Sequence, residues 1–360
     1  MDRDRKKCED MRTVRVLVVE DSLMFRELLV QNLNKDPQIQ VVATAKDPFE
    51  ARDAILEYHP DVMTLDIELP RMSGIEFLRK LMPQYPVPVV MISALSDKVF
   101  DAMSAGAVDF VAKPVTSSRE ELEDFVRREL PSKVKIAAGA HLISKKNMFT
   151  PSVSLTELSK KAGGGTCDKK DMVVAIGAST GGTEAIASVL KCLDTDIPGI
   201  VIVQHMPKGF TAMYAERLDQ QSKISVKEAK SGDVVRPGTA LLAPGGDAHM
   251  KLVKVNGSYQ VLIKQAPKVN GHCPSVDVLF DSVAEEAGKN AVGIILTGMG
   301  GDGAKGLLRM RKAGARTIGQ DPDTCVVYGM PRVAYEMGAV EYQEKLEDIP
   351  KRTYQIIRTM

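Results

Sequence analysis

The sequence predicts two α/β units in tandem, each built on a parallel sheet. Three observations carry that expectation. Short apolar runs alternate with segments of helical apolar spacing, once early in the chain and again late. A polar, basic and Gly-rich stretch over 131–170 breaks the alternation, which is linker composition. The chain's 360 residues also exceed one ordinary domain and suit two.

In the first unit, over 13–130, the apolar runs are Val14–Val19, Val41–Ala45, Val62–Leu65, Pro88–Ile92 and Ala107–Val111. Between them lie helical patterns such as Phe25, Leu28, Leu29 and Leu33. Strands separated by helix-length segments read as successive βαβ units, hence one doubly wound domain. Alternation resumes in the second unit, over 171–358, at Met172–Ile176, Gly199–Val203 and Val292–Leu296. A β-rich insertion interrupts it at Thr239–Ala243, Lys251–Val255 and Tyr259–Lys264, with Asn256-Gly257 as a hairpin turn signal.

Charge and composition exclude several functions. Lys plus Arg total 48 and Asp plus Glu 47, a net +1 that gives no bulk attraction to nucleic acid or anionic lipid. There is no Trp, so stacking platforms for single-stranded nucleic acid are not expected. No apolar run nears the roughly 20 residues that span a bilayer. The charged opening, Met1 to Lys7, is followed by no segment of signal-peptide type. Five scattered cysteines without a C-x-x-C pair suit free thiols in a reducing compartment. A cytoplasmic location is expected.

In the first unit the notable polar residues sit just past the strand ends: Glu20-Asp21, Asp66, Ser93 and Lys113-Pro114. Ligands of open parallel sheets bind at that edge. Three carboxylates converging there would need a cation, and Mg²⁺ suits a set of oxygen donors plus phosphate. Any one of these acids could instead be a helix cap. Recurrence at four strand ends favours a site, and the set resembles the receiver domains of response regulators, which have a flavodoxin-like (βα)5 fold. The resemblance rests on Val18-Val19-Glu20-Asp21-Ser22, Asp66 with Pro70, Met72 and Gly74, Ser93-Ala94 and Lys113-Pro114. It implies Asp66 as phosphoacceptor, Glu20, Asp21 and Asp66 around Mg²⁺, Lys113 on the phosphate, and Ser93 and Phe110 as switch positions.

In the second unit, strand Met172–Ile176 runs into Gly177-Ala178-Ser179-Thr180-Gly181-Gly182 before a helical stretch. A dinucleotide fingerprint would need glycine where Ser179 stands. G-x-S-x-G lets a serine stand exposed on a strand-to-helix turn, although alone it is equally a plain turn. It needs a base and an orienting acid. His205 follows strand Gly199–Val203, and Asp302 follows Val292–Leu296, both at the edge where Ser179 lies. His272 precedes a helix and reads as structural or substrate-lining; His249 falls in the insertion. His205 precedes Asp302 in the chain, the reverse of the α/β-hydrolase order.

These residues complete a second resemblance. Residues 171–358 resemble the catalytic domain of chemotaxis protein-glutamate methylesterases and glutamine deamidases, and a receiver upstream is the arrangement of that family. The motifs are Ile176-Gly177-Ala178-Ser179-Thr180-Gly181-Gly182-Thr183, Gln204-His205-Met206-Pro207, Pro274-Ser275-Val276-Asp277 and Leu296-Thr297-Gly298-Met299-Gly300-Gly301-Asp302-Gly303. Cys273 stands where arginine is common. The resemblance implies a Ser179, His205, Asp302 triad, with oxyanion donors around Thr180 and Met299 and no cofactor for hydrolysis. It implies a chemotaxis histidine kinase as phosphodonor and methyl-accepting receptors as substrate, with the unphosphorylated receiver covering the cleft. A DNA-binding output would instead require a basic recognition helix, and none is evident. A catalytically dead receptor-binding scaffold would leave the triad residues unexplained.

Overall fold

The computed structural model describes residues 13–94, 97–113, 125–142 and 169–360, in two compact units that divide between Leu142 and Ile143. Pro114, Met1 to Lys7 and residues 143–168 of the expected linker lie outside the described residues.

The first unit holds five parallel strands: β1 (Val14–Val19), β2 (Ile39–Ala45), β3 (Val62–Asp66), β4 (Val89–Ser93) and β5 (Asp109–Ala112), in the order β2-β1-β3-β4-β5. The interior strands β3 and β4 are buried along their whole length, as apolar runs in a sheet covered on both faces must be. Local chemistry starts the helices. Ser22 caps α1 (Leu23–Leu33), Asp47 with Pro48 behind it caps α2 (Pro48–Tyr58), and Ser73 caps α3 (Gly74–Leu81). Then come α4 (Lys98–Ala105), a π-helical turn Phe125–Glu129 and α5 (Leu130–Ala138).

Helix α5 runs across the expected boundary at 130. Residues 131–138, read as linker, are helix, with Leu130, Val134 and Ala137 buried. Pro131 lies in the first turn, where its missing N–H costs nothing. Lys133 and Lys135 resemble linker composition but reach back to Asp109 at 2.6 Å and Asp36 at 2.7 Å.

The second unit has seven parallel strands, ordered β14-β13-β12-β6-β7-β9-β8. They are β6 (Val173–Ala178), β7 (Gly199–Gln204), β8 (Ser225–Glu228), β9 (Thr239–Leu242), β12 (Ala291–Ile295), β13 (Arg316–Gln320) and β14 (Tyr342–Glu344). A separate antiparallel pair, β10 (Ala248–Val255) and β11 (Ser258–Gln265), turns at Asn256-Gly257 with both residues at positive φ, as the turn signal predicts. Thr239–Ala243 departs from expectation. It is not part of the insertion, because β9 runs parallel to β7 and β8 in the main sheet.

Helices α6 (Gly182–Lys191), α7 (Phe210–Gln221), α8 (Val276–Glu286), α9 (Ala304–Lys312), α10 (Met330–Glu336) and α11 (Ile349–Thr359) complete the unit. The hairpin is no loose appendage. Its Met250, Leu252, Tyr259 and Val261 join Leu279, Phe280 and Val283 of α8 in one core, so α8 is fixed from two sides. Among the described residues no helix is long and apolar enough to cross a membrane.

Candidate active site

Strand β6 is flanked by β7 on one side and β12 on the other, although β12 comes much later in the chain. That is where strand order reverses, the usual place for a ligand crevice. Ala178 pairs with Gln204, so Ser179 and His205 are the next residues along adjacent strands. The Ser179 N–H donates to Thr297 O (3.0 Å), and the Ser179 carbonyl accepts Gly182 N–H (2.7 Å), closing a tight turn. Glycines make this crowding possible. A Cβ at Gly298 would lie 2.7 Å from Ser179 Cβ, and one at Gly177 would lie 2.2 Å from Val276 Cγ1. The buried Gln204 amide donates to the carbonyls of Ser179 (2.9 Å) and His205 (3.2 Å), tying both turns together.

His205 Nε2 lies 2.8 Å from Asp302 Oδ2, with both side chains almost fully buried. An ionised carboxylate only accepts, so the proton sits on Nε2. Nδ1 is therefore the basic nitrogen of the neutral ring, and it is buried with no partner among the described residues. Asp302 also accepts from Val276 N (2.7 Å), Ser275 Oγ (2.7 Å), Asn270 Nδ2 (2.8 Å) and Asp277 N (3.3 Å). The carboxylate thus caps the N-terminus of α8, where exposed N–H groups and the helix dipole favour an anion. Burial by itself would raise its pKa. The hydrogen bond and charge of His205, with Asn270 and Ser275, outweigh burial and hold it well below the usual carboxylate range. Asp302 stays ionised wherever His205 can act as a base.

In the first unit Glu20, Asp21 and Asp66 bring carboxylate oxygens within 4.8 Å of one another, with Glu20 and Asp66 buried and Asp21 exposed. Lys113 Nζ lies 2.6 Å from Asp66 Oδ2 and 3.0 Å from Glu20 Oε2. Burial first, then the charge of Asp66, pushes the Glu20 carboxyl up to about 7. Burial would lower the Lys113 ammonium, but its hydrogen bonds and charge pairing with Asp66 and Glu20 hold it above its ordinary value. Clustered hard oxygen donors short of positive charge are what a small divalent cation fits. Ser93 donates to Ala94 O at 2.8 Å, and the buried Phe110 packs edge-on against Phe100.

Residues 174–353 match the family model of the CheB methylesterase, and residues 16–127 match that of the response regulator receiver domain. Protein-glutamate methylesterase/protein-glutamine glutaminase 2 of Syntrophomonas wolfei is 57% identical over 97% of this chain and 99% of its own length. The protein-glutamate methylesterase/protein-glutamine glutaminase of Salmonella typhimurium is 47% identical over 95% of this chain and 96% of its own. The chain belongs to the protein-glutamate methylesterase/protein-glutamine glutaminase family. The crystal structure of the Thermotoga maritima CheB methylesterase catalytic domain matches at a TM-score of 0.50 and 39% identity, covering 51% of this chain and 98% of that one.

Against that family frame, the residues expected from sequence fall into two groups at two sheet edges. Ser179 and His205 follow the paired ends of β6 and β7, and Asp302 bonds His205 from the turn after β12, with Thr180 and Met299 on the adjoining turns; Glu20, Asp21, Asp66 and Lys113 cluster in the receiver, with Ser93 at the end of β4. Thr180 is buried and Met299 half exposed, and no described residue accepts the Met299 N–H. Of the supporting groups, sequence reasoning names only His272, as structural or substrate-lining, and misses the rest. Gln204 lay inside a quoted motif, yet nothing in it signalled a clamp on two turns. His272 stacks on His205, with ring centroids 3.8 Å apart and planes 8° apart. His249, set aside as part of the insertion, accepts Ser275 N–H at Nδ1 (3.1 Å) and so props the residue that reaches Asp302. The available signal was Asn270-Gly271, a turn dipeptide two residues before Cys273.

Proposed function

We propose that Ser179, His205 and Asp302 carry out protein-glutamate methyl ester hydrolysis and glutamine deamidation on chemotaxis receptors, under control of phosphorylation at Asp66. Residues 171–358 form the catalytic domain, and the receiver extends from 13 through Ala138. The observation that carries the reading is the polarity of His205: Asp302 engages Nε2 and leaves Nδ1 buried without a partner among the described residues, on the strand paired with that of Ser179.

Ser179 Oγ attacks the side-chain carbonyl carbon of a methylated glutamate while His205 Nδ1 takes the hydroxyl proton. The new C–O bond leaves negative charge on the carbonyl oxygen, which backbone N–H groups near Met299 and loop donors around Thr180 would meet; one such donor is typically worth about 2.7–4 kcal/mol. The bond to methoxide breaks, and His205 returns its proton to the leaving oxygen, releasing methanol. Water, deprotonated by the same nitrogen, then splits the acyl-serine to glutamate and free Ser179. With glutamine the leaving group is ammonia and the acyl intermediate is identical. Asp302 stays charged throughout and supports the imidazolium.

In the receiver, Glu20, Asp21 and Asp66 would hold Mg²⁺, which would supply positive charge to the phosphoryl oxygens. Asp66 accepts the phosphoryl group from a histidine kinase, Lys113 moves onto the phosphate, and Ser93 and Phe110 answer the added charge. The partners are that kinase and cytoplasmic receptor helices, with no nucleic acid and no membrane insertion.

Ser179→Ala is expected to lower methanol release from methylated receptor by roughly 10⁴–10⁶-fold while leaving Asp66 phosphorylation intact. Undiminished turnover refutes the assignment. A small phosphodonor is expected to raise the wild-type rate and to leave Asp66→Asn at its basal rate. An equal response in both would remove Asp66 from the control.

A further inference from the structure

The hydrolytic reading uses two side chains of the His205–Asp302 pair but leaves unexplained what holds them in register. The residues Val269 to His272 form a two-residue turn closed by Val269 N–H to His272 O (3.0 Å) and His272 N–H to Val269 O (2.9 Å). Asn270 and Gly271 take φ of 54° and 84°, the left-handed pair that such turns require and that Asn-Gly adopts at least cost.

From this turn the Asn270 amide nitrogen donates one N–H to Asp302 Oδ1 (2.8 Å) and the other to Asp277 Oδ2 (2.7 Å). Asp277 is itself buried, and its second oxygen accepts Gly306 N–H at 2.6 Å. Two carboxylates buried side by side repel unless donors are shared between them, and a primary amide offers two donors from one atom without adding charge. Two residues on, the His272 ring lies flat against His205. The imidazole is therefore gripped at its edge by Asp302 and on its face by His272, and both grips hang from one turn.

We infer that the Val269–His272 turn is a positioning element for the reacting pair, with Asn270 fixing Asp302 and His272 fixing the ring plane of His205. The inference rests on the roles proposed above for His205 and Asp302. Neither residue touches the substrate in this account; each acts through the group it holds.

The test uses the full chain with phosphodonor in every arm, measuring kcat and KM for methanol release from a methylated receptor fragment across neutral pH. Asn270→Gly keeps the positive φ and deletes only the amide, and it is expected to lower kcat by up to about 100-fold at unchanged KM, the cost of a small misplacement of a reacting group. Asn270→Asp keeps the turn but replaces a donor with an acceptor. The groups facing that position are Asp277 at the start of α8, Asp302 ahead of α9, His205 after β7 and His272 in the turn itself. The introduced carboxyl sits between two carboxylates, so it takes up a proton as pH falls and can then donate. The Asn270→Asp rate is accordingly expected to recover relative to wild type towards acid pH, a change of profile that a merely structural turn would not produce. His272→Phe is expected to restore the rate that His272→Ala loses, because a flat ring there keeps the contact with His205.

Wild-type kcat in Asn270→Gly, an Asn270→Asp profile parallel to wild type, or equal rates for the two His272 variants overturns the inference and leaves the hydrolase reading standing. The His272 pair decides the matter should Asn270→Gly fail to fold. If Ser179→Ala removes no activity from the wild-type chain, the hydrolase reading falls instead.

Discussion

Asp66 and Asp302 occupy the same kind of place, a buried carboxylate at or beyond the carboxyl end of a parallel strand with a basic partner beside it. They differ in how many donors reach them. Asp302 accepts from His205, Asn270, Ser275 and the N–H groups of Val276 and Asp277, so no lone pair is left for chemistry. Asp66 has Lys113 and a long contact from Glu68 N–H (3.3 Å), with Glu20 and Asp21 crowding in from the side. A saturated carboxylate holds its position and its charge and can only orient a neighbour. An undersupplied one is available to a cation and an incoming phosphorus. The fold puts an aspartate at each edge; the count of donors sets which of them is open to a new partner.

The largest effect that would sharpen this contrast is at the saturated site. Asp302→Asn keeps the shape but sets an NH₂ against donors, and it forces His205 into the wrong tautomer. A fall in kcat of roughly 10⁴-fold is expected, with KM little changed. A loss below tenfold would break the comparison, because Asp302 would then be a helix cap and nothing more.

Next come the glycines behind each reactive residue. A Cβ at Gly298 would sit 2.7 Å from Ser179 Cβ, and one at Gly74 would sit 2.0 Å from the Asp66 carbonyl oxygen. Gly298→Ala is expected to impair methanol release and leave phosphorylation alone, and Gly74→Ala to impair phosphorylation and leave methanol release without phosphodonor alone. Phosphorylation and hydrolysis assayed on the same two preparations separate the cases; a variant that loses both functions would mean that the clash spreads beyond its own site.

The smallest effect is on acid stability. Asp302 has a folded pKa below its unfolded value, so the unfolded chain binds the extra proton. Its contribution is complete above the unfolded carboxylate pKa and is lost as pH falls below it towards the folded value. The urea midpoint of wild type should exceed that of Asp302→Asn at neutral pH, and the gap should close in acid. A gap constant with pH would show that the carboxylate's charge adds nothing to folding.

Much of this was legible in the residues. The apolar runs of β1, β3, β6, β7 and β12 are continuous because interior parallel strands are covered on both faces, and a polar residue ending such a run stands out. That is why Glu20, Asp66, Ser179 and His205 stand out by position, while their roles, and Asp302 seven residues past β12, come from the motifs. Strands β8, β13 and β14 were not seen, since they are short and mix polar with apolar residues, as Ser225–Glu228 and Tyr342–Glu344 do. Thr239 to Leu242 was seen as a strand but placed in the wrong sheet, because periodicity carries no record of the partner. Asn270, Ser275 and Gln204 escaped for a further reason. Their work is done by one or two hydrogen bonds across the fold, and such contacts leave no period in the chain.

The central position of β6 has a consequence for how the protein is made. β6 is the first strand of its sheet to be synthesised, yet its second neighbour, β12, begins only at Ala291. Until then one edge of the nucleophile's strand, apolar along its length, has no pairing partner of its own, which is a hazard for a nascent chain. Asp302 arrives with that closing strand. On the proposed assignment, a chain stalled or cut before residue 302 would carry Ser179 and His205 without their acid, and hydrolytic competence would come only with the closing of the sheet.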